Sequence, residues 1–126
     1  MKEIEIKTTA KIPLERVGDL LVSAFEGSNY WYTIEGWQEP PAFEFRYDEA
    51  QIYEPVDYPL NRYGNLEISD PDGGLWDLTL PAIQRGLQLL ADEYPQHWDD
   101  FQNHNADAST GDVFLQLCLF GKVVYG

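Results

Sequence analysis

The stretch NLEISDPDGGLWDLTLPAIQRGLQLLADEYP, residues 65–95, decides the fold class. Leu66 and Ile68 alternate with polar neighbours, and Leu75-Trp76-Asp77-Leu78 follows after Asp70-Pro71-Asp72-Gly73-Gly74. Two short period-2 runs around a turn whose glycines can take positive φ predict a β-hairpin. Thr79 then stands where a helix cap is needed, and Pro81 suits a first turn because its missing N–H would be unpaired there anyway. Leu80, Ile83, Leu87, Leu90, Ala91 and Tyr94 recur at helical spacing until Pro95 stops the pattern. A hairpin running straight into an amphipathic helix predicts an α+β protein.

The flanking sequence extends this reading. KEIEIKTT at 2–9 alternates as a half-buried strand. A helix is expected from Pro13 through Leu14, Val17, Leu21, Ala24 and Phe25, ended by Gly27, with Gly18 beside the stripe as a point of close backbone approach. NYWYTIEG at 29–36 and FEFRY at 43–47 read as strands, with 50–56 extending or pairing with the latter. Beyond Pro95, a short helical piece over 96–103 carries Trp98 and Phe101. Thr110 is the expected cap of a last helix through Val113, Phe114, Leu117 and Phe120 that ends at Gly121, and VVYG reads as a closing strand. The expected architecture is one α+β domain over 1–126, an antiparallel sheet with helices packed mainly on one face.

At 126 residues a second independent core is not expected, and a chain of ~120 residues buries roughly two-thirds of its unfolded surface without staples. Aromatics at 14% exclude a disordered acidic tail, and a single cysteine, Cys118, excludes an internal disulfide and a cysteine-cluster metal site. The absence of a signal-peptide pattern and of any apolar run near ~20 residues leads to the expectation of a cytoplasmic protein without membrane contact.

The net charge is −14 and is uneven: residues 47–126 hold fourteen acids against Arg62, Arg85 and Lys122, a net of −11. Direct contact with nucleic acid is opposed, because each phosphate contact needs a cation. A duplex carries one charge per ~1.7 Å, so fourteen charges match roughly 24 Å of it, the scale of a short nucleic-acid mimic. Solubility alone would also account for such an excess of acid.

Motifs for chemistry are weak. His97 and His104 flank Asp99 and Asp100, but the i, i+4 histidine pair of a zinc helix is missing, so neither a metal nor another cofactor is expected. Ser23 and Cys118 lie in apolar patterns without a nucleophile elbow, and Asp72-Gly73-Gly74 has no following lysine to make a phosphate loop. Tyr30, Trp31, Tyr32 and Trp37 are dense enough to fill a core, to anchor a partner, or to stack on a ligand.

Two segments, SAFEGSNYWY at 23–32 and DVFLQLCLFGKVVYG at 112–126, resemble a family of small proteins encoded by tailed phages and prophages of bacteria. One glycine, Gly27, stands where two are usual in that family. The resemblance implies action inside a bacterial cell and carries no catalytic residue with it. Joined to the charge, it yields a leading expectation of a non-enzymatic, anti-CRISPR-like or anti-restriction-like inhibitor of a host defence protein, either monomeric or a small homo-oligomer. Its partner would be a basic nucleic-acid-binding protein, met by Asp92, Glu93, Asp99, Asp100 and Asp107, with Glu49, Glu54 and Asp57 as a second patch. One alternative is a nucleotide-like ligand held by Ser28, Asn29, Tyr30 and Trp31, with Arg46 or Arg62 supplying the positive charge. Another is a phage assembly factor that binds through exposed aromatics.

Overall fold

In the computed structural model, Ile4 and residues 10–26, 31–38 and 65–126 are described. Apart from Ile4, the strand expected at 2–9 lies outside them, as do the strands expected at 43–47 and 50–56. The carbonyl of Pro13 accepts from the amides of Arg16 and Val17, opening α1 (Leu14–Glu26). Its buried face is Val17, Gly18, Leu20, Leu21 and Ala24, whereas Leu14, expected on the same stripe, is 52% exposed.

Strand β1 (Thr33–Gln38) starts later than the sequence suggests, because Trp31 and Tyr32 are both buried in the core ahead of it rather than alternating across a sheet. It pairs antiparallel with β2 (Asn65–Ser69), with a register shift between Ile34 and Gly36. Strand β2 pairs in turn with β3 (Leu75–Leu78). The hairpin turn is built around Asp70. Its Oδ1 accepts from the amides of Asp72 and Gly74, both at 2.9 Å, and its Oδ2 accepts from the Trp76 indole at 2.7 Å. Gly73 takes φ 85°, which only glycine adopts without strain. Leu66, Ile68 and Leu78 form the buried face of this sheet.

Helix α2 (Leu80–Glu93) is capped by Thr79 through the Ala82 amide, and α3 (Pro95–Gln102) follows across the single residue Tyr94. Helix α4 (Ala108–Phe120) begins before the expected cap. Asp107 is the N-cap, and Thr110, now inside the first turn, donates to it from its amide at 3.0 Å and its hydroxyl at 3.3 Å. Asp outcompetes Thr because its charged carboxylate binds the orphan amides and meets the positive end of the helix.

Helix α4 is the centre of the molecule: Phe114 through Leu119 are all buried. Two glycines let α1 and α2 close on it. A methyl carbon at Gly111 would stand 2.5 Å from the backbone nitrogen of Ala24, and one at Gly86 would overlap the Cys118 sulfur. The chain after Gly121 is not a strand. It is held instead by the buried Gln116, whose Oε1 accepts from the amides of Val124 and Tyr125 at 2.7 and 2.8 Å. Its Nε2 donates to Tyr125 O at 2.9 Å and to Asp112 Oδ2 at 3.0 Å. One side-chain amide thus imitates a strand partner. The architecture is α+β, and the described residues form four helices with a three-stranded antiparallel sheet.

Candidate functional site

The acids expected to meet a partner fall into three positions. Asp92 and Glu93 end α2, and Asp99 and Asp100 sit on α3 just past the one-residue corner at Tyr94. Asp92, Glu93 and Asp99 are exposed and Asp100 is half-buried. Asp107 is exposed too, but its carboxylate is engaged in capping α4. Glu49, Glu54 and Asp57 lie outside the described residues.

The end of α2 disfavours acids, whereas the start of α3, one residue further on, favours them. The last turn of α2 carries Asp92 and Glu93 and no base, although a helix C-terminus is the negative end of its dipole. Each such charge costs the helix roughly 0.3–1 kcal/mol when unscreened. The Gln88 amide donates to Asp92 at 3.0 Å, a neutral contact that leaves the charge in place. Two of the described cations are directed at backbone carbonyls. Arg16 lies over the Phe101 ring and donates to the Phe101 carbonyl, and Arg85 donates to the Cys118 carbonyl at 2.7 Å. Asp92, Glu93 and Asp99 are thus exposed acids on two helices joined by one residue.

The expected ligand turn is only partly described. Ser28, Asn29 and Tyr30 lie outside the described residues, while Trp31 is 2% exposed. Its ring stacks on Tyr125 at 5.3 Å and 15°, and its indole donates to Asp112 Oδ1 at 2.6 Å. Phe120 packs against it as well, at 5.5 Å. The two segments that carry the phage-protein resemblance therefore meet in space, and they do so as core packing. Burial, reinforced by the Asp112 charge, pushes the neighbouring Tyr32 hydroxyl up to about 12.

The other chemistry-bearing side chains are dispersed. His97 Nδ1 lies 2.9 Å from the buried hydroxyl of Thr110, and His104 is an exposed loop residue at φ 60°. Ser23 donates to the Asp19 carbonyl within α1. Cys118 is fully buried, and burial drives its thiol far above the usual range, outweighing the opposing pull of Arg85. Among the described residues no group of three or more His, Cys, Asp or Glu side chains is placed to hold a metal ion, and no helix is long and apolar enough to cross a membrane. Comparison of the chain with protein-family models, with curated proteins and with solved structures finds no match.

The destination of the arginines was not foreseen from the sequence. All four described helices lack a base in their last turns, so the carbonyls in need of a donor do not by themselves single out α3 and α4.

Proposed function

We propose that this chain is a phage- or prophage-type accessory protein that binds a basic nucleic-acid-handling protein of the host cell and keeps nucleic acid off it. The observation that carries the reading is the group of acids at the α2–α3 corner, Asp92, Glu93, Asp99 and Asp100, three of them exposed, while Arg16 and Arg85 turn to backbone carbonyls. A cationic channel built for phosphates would accept such a block by charge complementarity, without catalysis and without a cofactor. Association would be steered by long-range attraction, fast at low salt and slower as salt screens it.

The test is capture from a bacterial lysate at low and high salt, followed by competition of the purified target between this chain and labelled duplex DNA. A nucleic-acid-handling target whose DNA is displaced, and whose capture weakens about tenfold in the D99K/D100K double variant through slower association, supports the reading. Equal displacement by that double variant at low salt would contradict it.

A further inference from the structure

Strand β3 stands at one edge of the sheet, paired with β2 and with no other described strand. The turn before it shows which of its backbone groups face outward. The Asp70 amide donates to the Gly74 carbonyl at 2.9 Å, so these two residues form a hydrogen-bonded pair. Such pairs alternate with open ones along an antiparallel ladder. Trp76 and Leu78 therefore direct their backbone groups at Ile68 and Leu66, while the N–H and C=O of Leu75 and Asp77 point away from β2. No backbone bond among the described residues takes these groups up, and Leu75 is 60% exposed and Trp76 36%. Proteins commonly blunt an edge strand with lysine, proline or a bulge, and Leu75-Trp76-Asp77-Leu78 has none of these.

Charge selects which strand fits there. Residues opposite each other across a ladder share a face, so Leu75 and Asp77 lie on the face of Ser69 and Glu67. Glu35 reaches the Ser69 hydroxyl on that face at 2.7 Å. Glu35, Glu67 and Asp77 thus gather three carboxylates there, and no lysine or arginine among the described residues pairs with them. A second copy would bring another Asp77 to the same edge and oppose two chains of net charge −14. The opposite face of β3 is apolar, with Trp76 against Phe120 at 4.8 Å. We propose that the outer edge of β3 takes up an extended segment of a partner protein as an added strand, alternating basic and apolar residues. Its main chain bonds Leu75 and Asp77, its lysines or arginines lie on the acidic face, and its apolar side chains continue the Trp76 face. The α2–α3 corner contributes none of these groups, so the proposal stands independently of the function proposed above.

The full chain is titrated with an alternating Lys/Val peptide of about eight residues, long enough to span the edge. In the bound strand the lysine amides face β3 and the valine amides face solvent. N-methylation of the lysine amides should therefore weaken binding about tenfold, whereas N-methylation of the valine amides should leave it unchanged. A Glu/Val peptide should also bind at least tenfold more weakly. Hydrogen exchange should show new protection of the Leu75 and Asp77 amides, with those of Trp76 and Leu78, already in the ladder, unaltered. Leu75→Pro removes one outward N–H without touching the ladder and should weaken the Lys/Val peptide several-fold, its urea midpoint verifying the fold.

Equal binding of the two N-methylated peptides overturns the added strand, and equal binding of the Glu/Val peptide overturns its basic character. Protection that arises on α2 and α3 instead of β3 places the peptide at the acidic corner, overturning this proposal while leaving that reading standing. Protection of Leu75 and Asp77 that grows with protein concentration in the absence of peptide assigns the edge to a second copy of this chain and overturns the proposal as well.

Discussion

Arg85, on α2, donates from Nη2 to the carbonyl oxygen of Cys118 in the last turn of α4 at 2.7 Å. Arg16, on α1, does the same for Phe101 at the end of α3. Neither recipient helix has a base in its own last turn. The final carbonyls of a helix are unpaired and carry the negative end of its dipole, so a guanidinium from a neighbouring helix satisfies both needs. These contacts tie helices together as well as ending them.

Replacing Arg85 with Ala should therefore lower stability by about 1 kcal/mol, since Arg85 is exposed and water partly compensates the lost charge-assisted bond. Lys at this position should recover part of the loss. The midpoint of urea unfolding measures it, and an unchanged midpoint would mean that water serves the Cys118 carbonyl equally well.

Gln116 is buried with both amide hydrogens and its oxygen engaged, twice on the oxygen. Gln116→Leu keeps the volume but strips the tail of its partners, and should cost roughly 2–4 kcal/mol. The amides of Val124 and Tyr125 should lose protection from hydrogen exchange, and Trp31 fluorescence should change as Tyr125 leaves its ring. Retained protection at both amides would show that packing of Tyr125 on Trp31 holds the tail by itself.

Several local signals were legible in the sequence. The DPDGG turn, the Thr79–Pro81 start of α2, and the positive-φ stop at Gly121 are written within a few residues of where they act. Three features depend on the folded chain. Asp107 and Thr110 can each cap a helix, and only their mutual bond in the folded chain decides between them. Gln116 looks like a polar interruption of LQLCLF, because its partners in the tail come from a contact between non-adjacent segments. Trp31 was assigned by strand alternation, which does not apply to a residue that precedes the strand. For the candidate site, the sequence supplied the acids at the α2–α3 corner. Where the long Arg16 and Arg85 side chains reach is a property of helix packing and is not legible in the sequence.

Acid should weaken the fold through its caps. The Thr110 amide, more than any other contact, holds the Asp107 carboxyl below the usual carboxylate range, and the Trp76 indole does the same for Asp70. A carboxyl depressed in the folded state stabilises it at pH values above the unfolded pKa of about 4, and the contribution disappears as pH falls through the lower folded value. Thermal midpoints should thus fall on the acid side of about pH 4. Asp107→Asn, which still accepts from the Thr110 amide, should keep neutral-pH stability within about 1 kcal/mol and flatten part of the acid limb. An identical acid limb in that variant would remove Asp107 from the explanation.

The sheet offers a complementary measurement. Glu67 on β2 lies directly opposite Asp77 on β3, and Glu35 of β1 reaches over to accept from Ser69 at 2.7 Å. The Asn65 amide donates to Asp77 at 3.1 Å, which orients that carboxylate without cancelling its charge. Like charges facing each other across an antiparallel pair repel, whereas opposite charges there contribute roughly 0.2–1 kcal/mol. Glu67→Lys converts the first case into the second and leaves the Asn65–Asp77 bond untouched, so it should raise stability by about 0.5–1 kcal/mol at low salt. Glu67 is only half-buried, so the gain should shrink as the screening length drops from about 10 Å at 0.1 M salt to about 3 Å at 1 M. A stabilisation of the same size at both salt concentrations would assign the effect to packing of the lysine stem over Gly36 instead of to charge.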